Sequence, residues 1–434
     1  MAPRKSWVQY EPDSHFSLAN IPFGIISTTD QPDTRSVAIA IGDYALNLAT
    51  YSTSSLNVPS AIQALSSTFA QPTLNAFAAQ GRSKTSEIRR ILQEILTDEP
   101  SNEHASAKAA ARSAKSDILI PFSSITLHIP FSIGDYTDFY VGLHHAMNCG
   151  RLMRGPGQEL QPNYLHLPVG YHGRASSVVV SGTGISRPRG QILTAPGASE
   201  PVLDLCRKLD FELELGCFVA KANEMGTPVG VKRAFEEGLF GVVLMNDWSA
   251  RDIQTWEMVP LGPFNAKNFG TSVSGWVVTM DALEPFLVPA LQGDRPLLDY
   301  LQGDKESMVP DIKLDVTIET PAGTRQKVTN TTSRNLLFSF PQMLAHHTVG
   351  GCPFNTGDLL GSGTISGTER GSFGSLFEQT DGGKSMITIA EEPRTFLADG
   401  DTVIFSGVCG EEEYGMVGFG ECKGTILENK TRMG

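Results

Sequence analysis

The chain has 434 residues, 40% of them hydrophobic and 19% charged, enough to bury a large core and to form about two or three domains. A net charge of -13 without clustered Lys and Arg speaks against a nucleic-acid partner. No apolar run approaches the ~20 residues that span a bilayer, and "MAPRKSWVQYEPDSHFSLAN" lacks the apolar stretch of a secretory signal, so neither a membrane nor an export route is expected.

Short apolar runs among 43 glycines and 26 prolines predict strands and turns more than long helices. Residues 1 to about 60 hold "FGIIST" and "SVAIAIGDYALNL", read as strands of a small β-unit. "SEIRRILQEILTDE" follows with Ile88, Ile91, Leu92, Ile95 and Leu96 at helical spacing, and Thr85 or Ser86 is placed to cap its start. The Ala-rich "SNEHASAKAAARSAKSD" reads as a solvated helix or a connector. A boundary near "PFSSITLHIP" divides residues 1–125 from residues 126–434. Beyond it "SSVVVSGTGI", "FELELGCFVA", "FGVVLMNDW", "SGWVVTM", "KLDVTIET" and "DTVIFSGV" predict a mainly β, α+β fold, mostly antiparallel.

Asp138 and His145 stand seven apart in "GDYTDFYVGLHHAMNCGRLMRG". A helix running on from Asp138 would put both on one face, about 10 Å apart along its axis. Such a pair suits an acid that holds a metal and a base that acts on water; the alternative is a capping aspartate and a packed histidine.

In "LDFELELGCF" alternation sends Phe211, Leu213 and Leu215 to one face and Asp210, Glu212 and Glu214 to the other. Glu212 and Glu214 then lie roughly 7 Å apart, either on a solvated outer face or around a cation. "FGVVLMNDWSARDIQTWEMVPLGPFNAKNFG" puts Asp247 at the C-terminal end of a buried strand. Ser249 and Asp252 resemble a capping box, Arg251 and Gln254 are helical neighbours, and Lys267 follows a turn. This group reads as a polar pocket or as a structural Arg-Asp pair. Together Asp138, Glu212, Glu214 and Asp247 offer four oxygen ligands without Cys or His, which suits Ca²⁺, Mg²⁺ or Mn²⁺ rather than Zn²⁺ or Cu²⁺. "GSGTISG", Gly361 to Gly367, is either a loop with Thr364 facing an anion or a plain strand connection, and Glu378 is a candidate partner for His145.

Cys149, Cys206, Cys217, Cys352, Cys409 and Cys422 lack C-x-x-C spacing, so free thiols and a cytoplasmic location are expected. "GGKS" lacks the first glycine of a phosphate loop, where Glu378 stands. No G-x-S-x-G or H-E-x-x-H occurs.

In this order "GDYTDFY", "LHLPVGYHGRASSVVVSGT", "LDFELEL", "MNDWSARDIQTWE", "VPLGPF", "GSGTISG" and "TFLADGDTVIFSG" closely resemble the fumarylacetoacetate hydrolase family. The likeness covers nearly all of the chain after about residue 120 and continues more weakly before it. It implies a homodimer whose SH3-like β-barrel N-terminal domain is followed by a catalytic β-sandwich roll. It also implies hydrolysis of the carbon-carbon bond of a diketo-acid, 4-fumarylacetoacetate, to fumarate and acetoacetate, the last step of tyrosine and phenylalanine breakdown. Calcium ligands then fall on Asp138, Glu212, Glu214 and Asp247, and a magnesium site on Asp247, Lys267 and Thr271. The general base falls on His145 with Glu378 behind it, and the polar stabilisers on Arg251, Gln254 and Lys267. Substrate contacts fall on Tyr140, Arg154, Gln254 and Thr364, with Tyr171 contributing to the pocket. Met258 departs from the pattern, standing where animal members have a tyrosine. The same scaffold also admits hydrolysis of acylpyruvates, decarboxylation of oxo-acids, or calcium binding without catalysis.

Overall fold

The strand Leu239–Asp247 is apolar along nearly its whole length because both of its faces are buried. Val242 and Leu244 enter one hydrophobic core, whereas Val243 and Met245 enter a second core behind the sheet. Its antiparallel neighbour Leu213–Val219 divides in the same way, Leu213, Leu215 and Cys217 going to the first core and Phe218 to the second. The computed structural model describes residues 4–100, 103–195, 197–291, 296–303, 307–411 and 415–430.

These two strands are central in a 13-stranded sheet. From Leu239–Asp247 the sheet continues on one side through Trp276–Thr279, Phe23–Thr28, Gln31–Ile41, Tyr44–Asn47 and Leu119–Pro121. On the other it runs through Leu213–Val219, Leu359–Gly361, Tyr136–Phe139 and Gly170–His172. Phe23 pairs with Val277, so the N-terminal strands extend the main sheet, and the pairing order does not return on itself. Ile25–Thr28 of the same strand pair with Ile125–His128, which the 3-10 turn Phe122–Ser124 joins to Leu119–Pro121, so the N-terminal strands also pair among themselves, and among the described residues the pairing traces no closed barrel.

A five-stranded sheet packs over the first core in the order Arg325–Thr332, Lys313–Glu319, Thr402–Cys409, Val417–Leu427 and Ile185–Ser186. Contact between the layers is close at Gly424, where an added Cβ would lie 2.7 Å from the buried Trp248 ring. The second core is closed by the helix Arg82–Leu96, whose Ile88, Ile91, Leu92, Ile95 and Leu96 pack against Phe23, Ile25, Val37 and Ile39. That helix begins before the predicted caps. Gly81, at φ 82°, turns the chain into it, and Thr85 lies inside with its hydroxyl donating to Arg82 O. The Ala-rich segment is helical over Ala105–Ser113, with Ala107 and Ala111 buried. All six cysteines are free thiols. Among the described residues no helix is long and apolar enough to cross a membrane.

Candidate active site

Strand register brings the acids together. Gly361 pairs with Asp138 on one side and Gly216 on the other, while Asp247 ends its strand opposite Thr271. Asp138, Glu214 and Asp247 each offer a carboxylate oxygen, all within 4.8 Å of one another and all buried. A Cβ on Gly361 would lie 2.6 Å from Asp138 Oδ1 and 3.3 Å from Glu214 Oε2, so a glycine there leaves the space these two acids occupy. Asp138 lies on the strand Tyr136–Phe139, not on the helix, which begins at Leu143 after Gly142. It neither caps that helix nor shares a face with His145, because the chain must pair with Leu359–Gly361 before it coils.

Asp138 Oδ1 and Glu214 Oε1 are buried without hydrogen-bond partners. Burial, followed by the charges of neighbouring acids, pushes both carboxyls well above the usual range, and burial raises that of Asp247 as well. Two buried oxygens without donors, in an acidic cluster that contains no Cys or His, fit a hard divalent cation.

Glu212 departs from the four-acid expectation. Its Oε1 lies 2.7 Å from Arg251 Nη1 and its Oε2 pairs with Lys267 Nζ. Burial would raise this carboxyl, but Lys267 and Arg251 draw it well below its ordinary value. Lys267 also pairs with Asp247, which accepts from Thr271 Oγ1 at 3.2 Å and from Tyr171 OH at 3.2 Å. Asp247, Lys267 and Thr271 thus meet as the resemblance implies. The Lys267 ammonium is all donors, so this residue can offer a cation only its main-chain carbonyl.

His145, on the helix Leu143–Arg154, places Nδ1 2.7 Å from Glu378 Oε2. Glu378 is held by Asn148 Nδ2 at 2.9 Å, Ser366 Oγ at 2.9 Å and Ser375 Oγ at 2.8 Å. Burial would lower the imidazole, but neighbouring Cys149 and Glu378 raise it well above its ordinary value. Burial likewise opposes the Glu378 carboxylate, and His145 brings it below the usual range. With Nδ1 committed to Glu378, Nε2 is left for chemistry.

A cavity of about 360 Å³ joins these groups. Asp138, Glu212, Glu214, His145, Arg251 and Lys267 line it, together with Tyr140, Tyr171, Gln254, Met258 and Thr364. Asp247 and Thr271 line an adjoining cavity of about 220 Å³, which shares Tyr171 and Lys267. Thr364 Oγ1 is buried and unpartnered.

Residues 136–427 match the family model "Fumarylacetoacetate (FAA) hydrolase C-terminal", and residues 19–130 match "Fumarylacetoacetase N-terminal". The chain belongs to the fumarylacetoacetate hydrolase family. It is 53% identical over 429 residues to a fumarylacetoacetase of Aspergillus fumigatus, covering 97% of this chain and 98% of that one. The fumarylacetoacetases of Arabidopsis thaliana and Mus musculus are 46% and 44% identical, covering 98% and 97% of this chain and 99% and 98% of their own. A solved fumarylacetoacetate hydrolase from Exiguobacterium antarcticum matches with a TM-score of 0.52 at 13% identity, over 94% of this chain and 100% of that one, which shows the shared fold alone.

Other residues that the fumarylacetoacetate hydrolase likeness singles out are not all at the cavity. Arg154 ends its helix exposed, with Nε donating to Gln158 O at 2.9 Å and Nη2 to Glu159 O at 2.5 Å, and it does not line the cavity. The capping box read from Ser249 and Asp252 does not form. The helix Arg251–Glu257 starts after Ala250, and Asp252 instead accepts from Arg207 N and Cys206 Sγ. Arg251 and Gln254 do touch, at 3.2 Å. Asp210, which alternation places on the face of Glu212 and Glu214 without a role, accepts from Arg251 Nε at 2.9 Å, and Asn148, Ser366 and Ser375, which the sequence reading does not single out, orient Glu378. Asn148, one turn after His145, and Ser366, inside "GSGTISG", carried the available signals.

Proposed function

We propose that this chain is a fumarylacetoacetase, which hydrolyses 4-fumarylacetoacetate to fumarate and acetoacetate as the last step of tyrosine and phenylalanine catabolism. The observation that carries the reading is the His145–Glu378 pair on the wall of a cavity that also holds a buried acidic cluster. Asp138, Glu214 and Asp247, with Glu212 beside them, would hold a divalent cation, Ca²⁺ or Mg²⁺. When bound, the cation supplies Lewis-acid stabilisation of negative charge on oxygen.

A 1,3-diketone is cleaved when water adds to one carbonyl carbon and the other fragment leaves as an enolate. His145 Nε2 takes the proton of the attacking water, and Glu378 holds the Nδ1 proton and balances the imidazolium. Arg251, Gln254 and Lys267 donate to the oxyanion and the enolate, each such donor being worth about 3 kcal/mol. Thr364 Oγ1 has a free hydrogen-bonding position for a substrate oxygen. Tyr140 and Tyr171 form part of the surrounding wall, and Met258 stands at the edge where a phenol would add a hydrogen bond.

The protein works as a cytoplasmic homodimer, with residues 1–125 as the N-terminal domain and 126–434 as the catalytic one. Loss of 4-fumarylacetoacetate, followed with and without chelator, tests the activity. No hydrolysis in the presence of Ca²⁺ or Mg²⁺ would remove it. The outward turn of Arg154 favours a second reading, hydrolysis of the shorter acylpyruvates, and the same assay with an acylpyruvate separates the two.

A further inference from the structure

Cys149 stands one turn after His145 on the helix Leu143–Arg154. Its Sγ lies 3.5 Å from His145 Nε2 and 3.7 Å from Nδ1. The side chain is only 5% exposed, yet it lines the cavity. The hydrolysis described above makes no use of it. Cys206, Cys217, Cys409 and Cys422 are sealed in the first core, where burial pushes their thiols up. Cys352 is half-buried elsewhere. Cys149 is the one cysteine on the wall of this cavity. Independently, Thr364 Oγ1, 1% exposed and without a partner, lines the same cavity and marks a place for a ligand oxygen.

We propose that Cys149 is a covalent acceptor for α,β-unsaturated keto-acids that enter the cavity. The inference rests on the diketo-acid reading, because the fumaryl end of that substrate carries such an alkene. Sulfur forms a bond to the β-carbon as the alkene π bond breaks, and its electrons pass through the conjugated carbonyl as an enolate. The thiol proton, passed through His145 Nε2, ends on the α-carbon. The product is a thioether and a saturated ketone, with no external oxidant or reductant. Thr364 Oγ1 donates to the ketone oxygen while it carries the enolate charge. The adduct fills the cavity beside His145 and stops turnover, so with 4-fumarylacetoacetate itself the addition is slower than cleavage.

The native chain incubated with 3-acetylacrylic acid, a small unsaturated keto-acid, tests this by peptide mass spectrometry. The adduct is expected on Cys149 at a rate about tenfold or more above that on Cys352. Hydrolytic activity is expected to fall in step with Cys149 occupancy, and Cys149→Ala is expected to lose that adduct alone. Reaction at Cys352 first, or at Cys149 only after unfolding, would overturn the proposal, and the wild-type pattern decides this even if the variant folds poorly. Hydrolysis of 4-fumarylacetoacetate is measured on untreated protein from the same preparation. An adduct on Cys149 without hydrolysis supports this inference and removes the fumarylacetoacetase reading. Hydrolysis with Cys149 left unmodified does the reverse.

Discussion

His145 Nδ1 lies 2.7 Å from Glu378 Oε2, although 233 positions separate the two residues in the chain. Glu378 in turn accepts from three side chains, so the imidazole is held in one orientation, with Nε2 3.5 Å from Cys149 Sγ and 3.8 Å from Glu212 Oε1. His145→Ala is expected to lower turnover by at least about 10²-fold. Cation binding, followed by calorimetry, should stay nearly unchanged. Ordinary turnover in this variant would remove His145 as the base.

Glu378→Gln separates holding from charge. The carboxylate raises the imidazole pKa, so its loss makes the imidazolium less stable and moves the acidic limb of the kcat profile to lower pH. The plateau is expected to fall by about ten- to 100-fold. A pH-rate profile checks both effects, and an unmoved acidic limb contradicts the assigned pairing.

Cation binding should release protons. Asp138, Glu214 and Asp247 have carboxyls raised by burial, and a cation needs them ionised. Raised groups favour the ion-free fold below the ordinary carboxylate pKa, and that contribution is lost as pH climbs through their folded values. Affinity for Ca²⁺ or Mg²⁺ is therefore expected to weaken as pH falls, and calorimetry in buffers of different ionisation enthalpy measures the protons released. Glu214→Gln should abolish binding while leaving the ion-free protein at least as stable, since the amide keeps the shape of the side chain and carries none of the charge that burial disfavours.

Gly361→Ala places a methyl group 2.6 Å from both Asp138 Oδ1 and Met245 Cε. Overpacking of this kind costs about 1–3 kcal/mol. Displacement of Asp138 is expected to weaken cation affinity by about tenfold or more. Denaturant melts and cation titrations are the measurements, and unchanged affinity would show that Asp138 is not a ligand.

Met258→Tyr introduces a phenol at the cavity wall. One added neutral hydrogen bond is worth about 1 kcal/mol, so KM for 4-fumarylacetoacetate is expected to fall several-fold with little change in kcat. Steady-state kinetics decide the point.

What was legible in the chain was local. Alternation along Leu209 to Phe218 placed Glu212 and Glu214 opposite Phe211, Leu213 and Leu215, and the three- and four-residue spacing of Ile88 to Leu96 marked a buried helix face. Both patterns follow from backbone periods that any neighbouring structure must respect. The family likeness named half of the residues that line the larger cavity, because long matched words carry long-range information that periodicity does not.

Tertiary structure decided which acids meet. Glu214 joins Asp138 and Asp247 through the register of four paired strands, whereas Glu212, two residues away, is taken by Arg251 and Lys267. It also put Asp138 on a strand, turned Arg154 outward, and joined Phe23 and Gly24 to the main sheet. Each outcome depends on competition between partners distant in the chain, settled by register and burial. A local pattern determines the direction of a side chain, while long-range pairing determines what it meets there.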